Sequence, residues 1–152
     1  MTEQEAFMML QNWFRDDGWG VDASAEHLLV RTGINGEHGK FRLYAHIQGD
    51  NLVVHSVSPT HIPAKGRGAV AEYLTRANYG LVLGNFEMDW NDGEVRYKTS
   101  FRWKDAGLNP QTIHGLVYVN CATMDRYYPG LMSVLYGGAT PEQAIRNVEN
   151  WS

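Results

Sequence analysis

Apolar residues return at intervals of three and four near the start of the chain, where Phe7, Leu10 and Phe14 share one helical face. Thr2 with Glu5 three residues on forms a capping box and Gly18 follows as a stop signal, which predicts a first helix over residues 3–17. Beyond Trp19 the period falls to two. Leu28, Val30, Thr32 and Ile34 alternate with polar neighbours, Phe41, Leu43, Ala45 and Ile47 do the same, and a run from Leu52 to Val57 follows. Gly-rich turns at 35–39 and 49–51 divide these into an antiparallel meander, with a short extra strand at Trp19–Asp22. Two registers compete at the first turn. A turn at Asn35-Gly36 sets Arg31 opposite Lys40, whereas one at His38-Gly39 pairs Glu37 with Lys40 and Ile34 with Leu43, and the like-charge penalty favours the second.

Pro59 and Pro63 end the meander, and Val70, Leu74 and Ala77 mark a second amphipathic helix over roughly 66–79. Asp92-Gly93, taken as a two-residue turn, pairs Trp90 with Val95, Asp89 with Arg96, Met88 with Tyr97 and Glu87 with Lys98. Phe86, Met88, Trp90, Val95, Tyr97 and Phe101 then share one face, and carboxylates meet cations on the other. Ile113, Val117, Cys121, Met124, Tyr128, Leu131 and Leu135 step by three or four, a long helix that Pro129 is expected to kink or split. Thr140-Pro141-Glu142-Gln143 opens a last short helix with Ile145 and Val148 inward. The order is therefore α-β(3-4)-α-β(2)-α-α, an α+β fold with an antiparallel sheet of about five strands.

Length and composition narrow the class. At 152 residues with 43% hydrophobic content, residues 1–152 make one domain with a core that needs no metal or disulfide. Cys121 is the only cysteine, which removes intramolecular disulfides and four-thiolate zinc sites. A net charge of -4 argues against nucleic acid as a partner, since such binders carry a basic stripe. The start of the chain lacks a signal-like apolar run and no stretch reaches membrane-spanning length, so the expected setting is the cytoplasm, without a membrane partner.

Candidate chemistry is sparse. Six histidines are scattered along the chain, and although the meander brings His46 and His55 to adjacent strands, their spacing is no ligand signature, so no metal is expected. Asp89, Asn91, Asp92 and Glu94 fall one residue short of a calcium loop and suit a hairpin turn better. Lys65-Gly66-Arg67-Gly68, ahead of the second helix, offers two cations and a helix N-terminus to an anion, but it lacks the phosphate-loop pattern and reads more simply as a solvated connection. His114 and Cys121 lie two helical turns apart, about 10 Å, too far for a nucleophile and its base. Cys121 reads as a small buried hydrophobe, and Trp13, Trp19, Trp103 and Trp151 cannot all be assigned to one core.

Asn78-Tyr79, Gly84-Asn85-Phe86-Glu87, Asp92-Gly93-Glu94-Val95-Arg96-Tyr97 and Met124-Asp125-Arg126-Tyr127-Tyr128 together resemble the YbjN family, linked by description to bacterial sensory transduction. The resemblance spans nearly the whole chain. It implies a fold related to the type III secretion chaperones, with helices on one face of an antiparallel sheet and frequent dimers. Gly84 and Gly93 have local readings as strand and turn glycines. Asn78, Asn85 and Asp125 are the polar motif members without one, which makes them candidate binding residues beside Lys65 and Arg67.

The expected function is a non-enzymatic regulator or chaperone-like module: a homodimer that binds an unidentified protein partner and uses no cofactor. Two rival readings are a small-molecule or anion sensor, using the Lys65 to Gly68 loop and the His-bearing meander, and an uncharacterised enzyme.

Overall fold

The structure, a computed structural model, describes residues 1–150. Helix α1 (Glu3–Asp16) begins at the expected capping box: Thr2 Oγ1 accepts the Glu5 N–H at 3.1 Å, and Glu5 Oε1 accepts the Thr2 N–H at 3.0 Å. Strands β1 (Asp22–Ser24), β2 (Leu29–Asn35), β3 (Lys40–Gln48) and β4 (Asn51–Val57) follow as the meander. A 3-10 turn at Ala64–Gly66 leads into α2 (Arg67–Gly80). Strands β5 (Asn85–Met88) and β6 (Val95–Arg102) precede a single helical turn, α3 (Trp103–Ala106), then α4 (Pro110–Leu135) and α5 (Pro141–Glu149). The fold is α+β. Its sheet has six antiparallel strands in the order β1-β2-β3-β4-β6-β5. The extra first strand lies at Asp22–Ser24, slightly later than the alternation suggested.

Period-two patterning decides the layers. Val30, Ile34, Phe41, Leu43, Ala45, Ile47, Leu52, Val54, Val95 and Tyr97 point to one face and are buried there. Against that face pack α1, α2 and α4, with α5 closing over α2 and α4. Phe7, Leu10 and Phe14 of α1 and Val70, Tyr73 and Leu74 of α2 complete the core. Trp13 and Trp103 are buried and Trp19 is partly so, while Trp151 falls outside the described residues. No helix of the described residues is long and apolar enough to cross a membrane.

The two hairpins for which the sequence set a register, β2–β3 and β5–β6, close in another one. Between β2 and β3, Ile34 faces Phe41 and Asn35 faces Lys40, which leaves four residues, 36–39, in the loop instead of a His38-Gly39 turn. The Gly36 N–H donates to Gly39 O at 2.8 Å, and a carboxylate from α4 draws the next two amides away from the sheet. Between β5 and β6, Met88 faces Val95, Phe86 faces Tyr97 and Glu87 faces Arg96, so six residues connect the strands and Trp90 leaves the sheet for solvent. Asp89 and Asp92 accept N–H groups from Asn91 and Glu94, and Gly93 O accepts the Ile62 N–H at 2.9 Å. Gly93 sits at φ +78°, and a Cβ there would lie 2.1 Å from Ile62 O. Each slip is of two residues, an even number, so every strand residue keeps its expected face.

Helix α4 runs unbroken through Pro129. Its core-facing residues include Ile113, Val117, Asn120, Met124, Tyr127 and Leu131. Asn120 and Tyr127 therefore take the inward positions expected of Cys121 and Tyr128, which lie partly buried on the flank. At 3.6 residues per turn, an apolar stripe read in steps of three and four is easily placed one residue off axis.

Candidate functional site

The one motif residue that gathers other side chains is Asp125. Its carboxylate accepts two consecutive main-chain donors, the Glu37 N–H at 3.1 Å and the His38 N–H at 2.8 Å. Pro129 has no N–H to offer the carbonyl of Asp125 four residues earlier, and His38 Nδ1 lies 3.2 Å from that oxygen, placed to donate to it. The same nitrogen is 3.3 Å from Asp125 Oδ2. Gly36 is required beside it, because a Cβ there would fall 2.2 Å from Asp125 Oδ1. The β2–β3 loop is thus latched to the middle of α4, and Tyr128 packs edge-on against Phe41 at 5.1 Å below the latch.

Glu37, His38 and Asp125 each hold a possible ligand atom within 4.8 Å of one another, the one such trio among the described residues. They stand at the rim of a cavity of about 560 Å³ whose walls include Arg126, Pro129, Ser133, Ala144, Asn147 and Val148. Two carboxylates and an imidazole are oxygen and nitrogen donors of the kind that hold a divalent cation, and the hydrogen bonds already present account for the cluster as a latch.

The other sequence-singled residues stand elsewhere. Asn78, near the end of α2, accepts the Phe86 N–H at 2.7 Å and donates to Phe86 O at 3.1 Å, pairing with β5 as another strand would. Asn85 Nδ2 donates to the same carbonyl at 3.4 Å. Arg67 directs Nε to Ile62 O at 2.9 Å and Nη1 to Trp90 O at 3.1 Å, so its guanidinium braces two loops. Lys65 is exposed in the 3-10 turn. Arg67 and Asn78 lie near opposite ends of α2, about 16 Å apart along its axis, so the five candidates do not converge.

Two features were not anticipated. Asn120 is fully buried between α4 and the sheet, where Nδ2 lies 2.9 Å from Val54 O, 3.1 Å from Tyr97 O and 3.2 Å from Thr99 Oγ1, and Oδ1 accepts the Ser56 hydroxyl. It stood next to Cys121 in a stripe read as apolar, and only the register of the sheet shows what it meets. Cys121 itself has its thiol pushed up to about 12 by burial, which makes it a poor nucleophile.

The second feature is the sheet face turned away from the long helices. Register places Asp22, Arg31, Lys40, Arg42, Tyr44, His46, Val53, His55, Val57, Glu87, Arg96, Lys98 and Arg102 on it. Six of the chain's 13 cations (Arg31, Lys40, Arg42, Arg96, Lys98, Arg102) and only two of its 17 acids (Asp22, Glu87) therefore share this face. Burial opposes the charge on Glu87, but hydrogen bonds from Arg96 at 2.8 Å and Lys98 at 3.2 Å outweigh it and hold the carboxyl below its ordinary range. His55 and His46 sit diagonally on adjacent strands, as the alternation suggested. Burial, with Arg96 and Lys98 nearby, lowers His55 to about 4, so it is neutral at pH 7.

Helices gathered on one face of an antiparallel sheet, a basic opposite face, and motif side chains that join elements define an α+β protein of the one-faced kind. The chain belongs to the YbjN family, described as "putative bacterial sensory transduction regulator", whose pattern matches residues 7–133. Among solved structures it is similar to the "crystal structure of YbjN, a putative transcription regulator from E. coli", at a TM-score of 0.60 and 9% identity over 87% of this chain and 90% of that one. At that identity the likeness is one of fold. No curated protein matches the chain.

Proposed function

We propose that the chain is a non-enzymatic regulator that acts by holding another polypeptide, and that it works as a homodimer joined through the apolar fringe beside β5. The supporting observation is an apolar fringe beside the β5 edge. Strand β5 ends the sheet; Tyr79 (96%) at the end of α2 and Val82 (95%) and Leu83 (54%) in the connection that follows are exposed, with Trp90 (61%) just beyond the other end of β5. Asn78 already takes up the outward N–H and C=O of Phe86, so the edge itself is capped and the exposed apolar side chains beside it are what a partner would cover. A second copy covers them by a two-fold contact in which each fringe packs against the other. The family's regulatory description fits a protein that acts by association.

Light scattering over a dilution series tests this. The wild-type protein is expected at twice 17.2 kDa, and Val82→Asp with Leu83→Asp at 17.2 kDa with its melting transition retained. A wild-type monomer at every concentration overturns the dimer.

The cavity beside Asp125 favours a second reading, a small-molecule sensor. A ligand at about 100 times its Kd stabilises a protein by about 2.7 kcal/mol. A thermal-shift screen of nucleotides, phosphates and divalent metals with no response removes that reading.

A further inference from the structure

We propose that the open face of the sheet docks an acidic segment of a partner polypeptide; this rests on the reading of the chain as a protein-binding regulator. The argument is charge complementarity. On a chain with net charge -4, the six cations and two acids of this face leave it at +4. Three of the cations are already partnered, Arg96 and Lys98 by Glu87, and Arg102 by Asp50 and Asp105. Arg31, Lys40 and Arg42 make no ion pair among the described residues. They occupy adjacent strands, where Arg31 faces Tyr44 and Arg42 lies over the Tyr44 ring at 6.0 Å.

Partner chemistry follows from what surrounds these cations. Leu29, His46 and Val53 form one row across β2, β3 and β4, and Arg42, Val57 and Arg96 form another across β3, β4 and β6. Val53 and Val57 are buried between their neighbours and Leu29 is half-buried, while Arg31, Lys40 and Arg42 are exposed, so what the face offers a partner is chiefly cationic and matches a chain rich in carboxylates. Six strands span about 24 Å, the reach of about seven extended residues. Single-stranded nucleic acid is the weaker fit. It needs several free rings for base stacking and an unbroken cationic track, whereas the one tyrosine here already carries Arg42 and Glu87 interrupts the track between Arg96 and Lys98.

The test uses the full chain and a fluorescein-labelled peptide of about twelve residues, in which Asp and Glu alternate with Gly and Ser, read by anisotropy. Expected are saturable binding at about 50 mM salt, a Kd that rises about tenfold at about 300 mM, and a further loss of about tenfold in Arg31→Glu with Arg42→Glu. Arg31→Gln with Arg42→Gln is the milder pair should charge reversal unfold the chain, and Arg146→Glu on α5 is expected to bind as wild type. Absence of binding at low salt, or binding indifferent to both arginine pairs, overturns the proposal. Tighter binding of an oligothymidine of equal length through the same arginines overturns it in favour of nucleic acid. If the peptide fails while Val82→Asp with Leu83→Asp still dissociates a dimer, the docking face falls and the edge interface stands.

Discussion

Removing the Asn120 side chain strips partners from Ser56, Thr99 and two main-chain carbonyls at once, in a position with no access to water. Asn120→Ala is therefore expected to destabilise the chain by about 2–4 kcal/mol, read as a lower urea midpoint with an unchanged slope. A second residue-scale expectation concerns acid. His55 is flanked by Arg96 and Lys98 on β6, by His46 on β3 and by Glu87 on β5, and it holds its neutral form down to about pH 4, against about 6.5 in the unfolded chain. As pH falls from 6.5 towards 4 the unfolded state gains a proton that the folded state refuses, so stability declines across that window and this residue contributes no pH dependence above it. Thermal melts are expected to show a shallower decline over pH 6.5 to 4 in His55→Gln than in the parent.

Elements are joined by side chains that take over main-chain hydrogen bonds. Asp125 ties the β2–β3 loop to α4, and Asn78 ties α2 to β5. Asp125→Ala is expected to release the loop while the sheet persists, seen as faster hydrogen exchange at the Glu37 and His38 amides and a stability loss of about 1–3 kcal/mol. These joints explain what was legible in the sequence. Alternation placed nearly every strand residue on its proper face, because the face depends only on parity. Turn registers were not legible, because contacts from far along the chain decide them: Asp125 is 88 residues from Glu37, and Ile62 is 31 residues from Gly93. Asp125 and Asn78 stood out as polar residues without a local role, and their roles prove to be joints. The basic face left no local signature, since its arginines and lysines become neighbours only through the pairing of β2, β3, β4 and β6.

At the scale of the whole molecule, mean charge misleads. A chain at -4 reads as repelling polyanions, yet the strands sort charge so that most acids lie on the helices and loops while six of the 13 cations face outward from the sheet. The sheet order carries a kinetic consequence. Strands β1 to β4 are joined by short turns and can zip locally, but β4 must find β6 across the 37 residues 58–94. The length-dependent part of closing such a loop costs about 3 kcal/mol before any contact forms. Refolding is expected to protect the β2–β4 amides ahead of those in β5 and β6, with a slow phase in the millisecond-to-second range. Until β6 arrives, β4 is itself an edge strand, with Leu52, Val53 and Val54 uncovered. The half-built sheet then offers another molecule the place reserved for β6, so refolding yield is expected to fall as protein concentration rises.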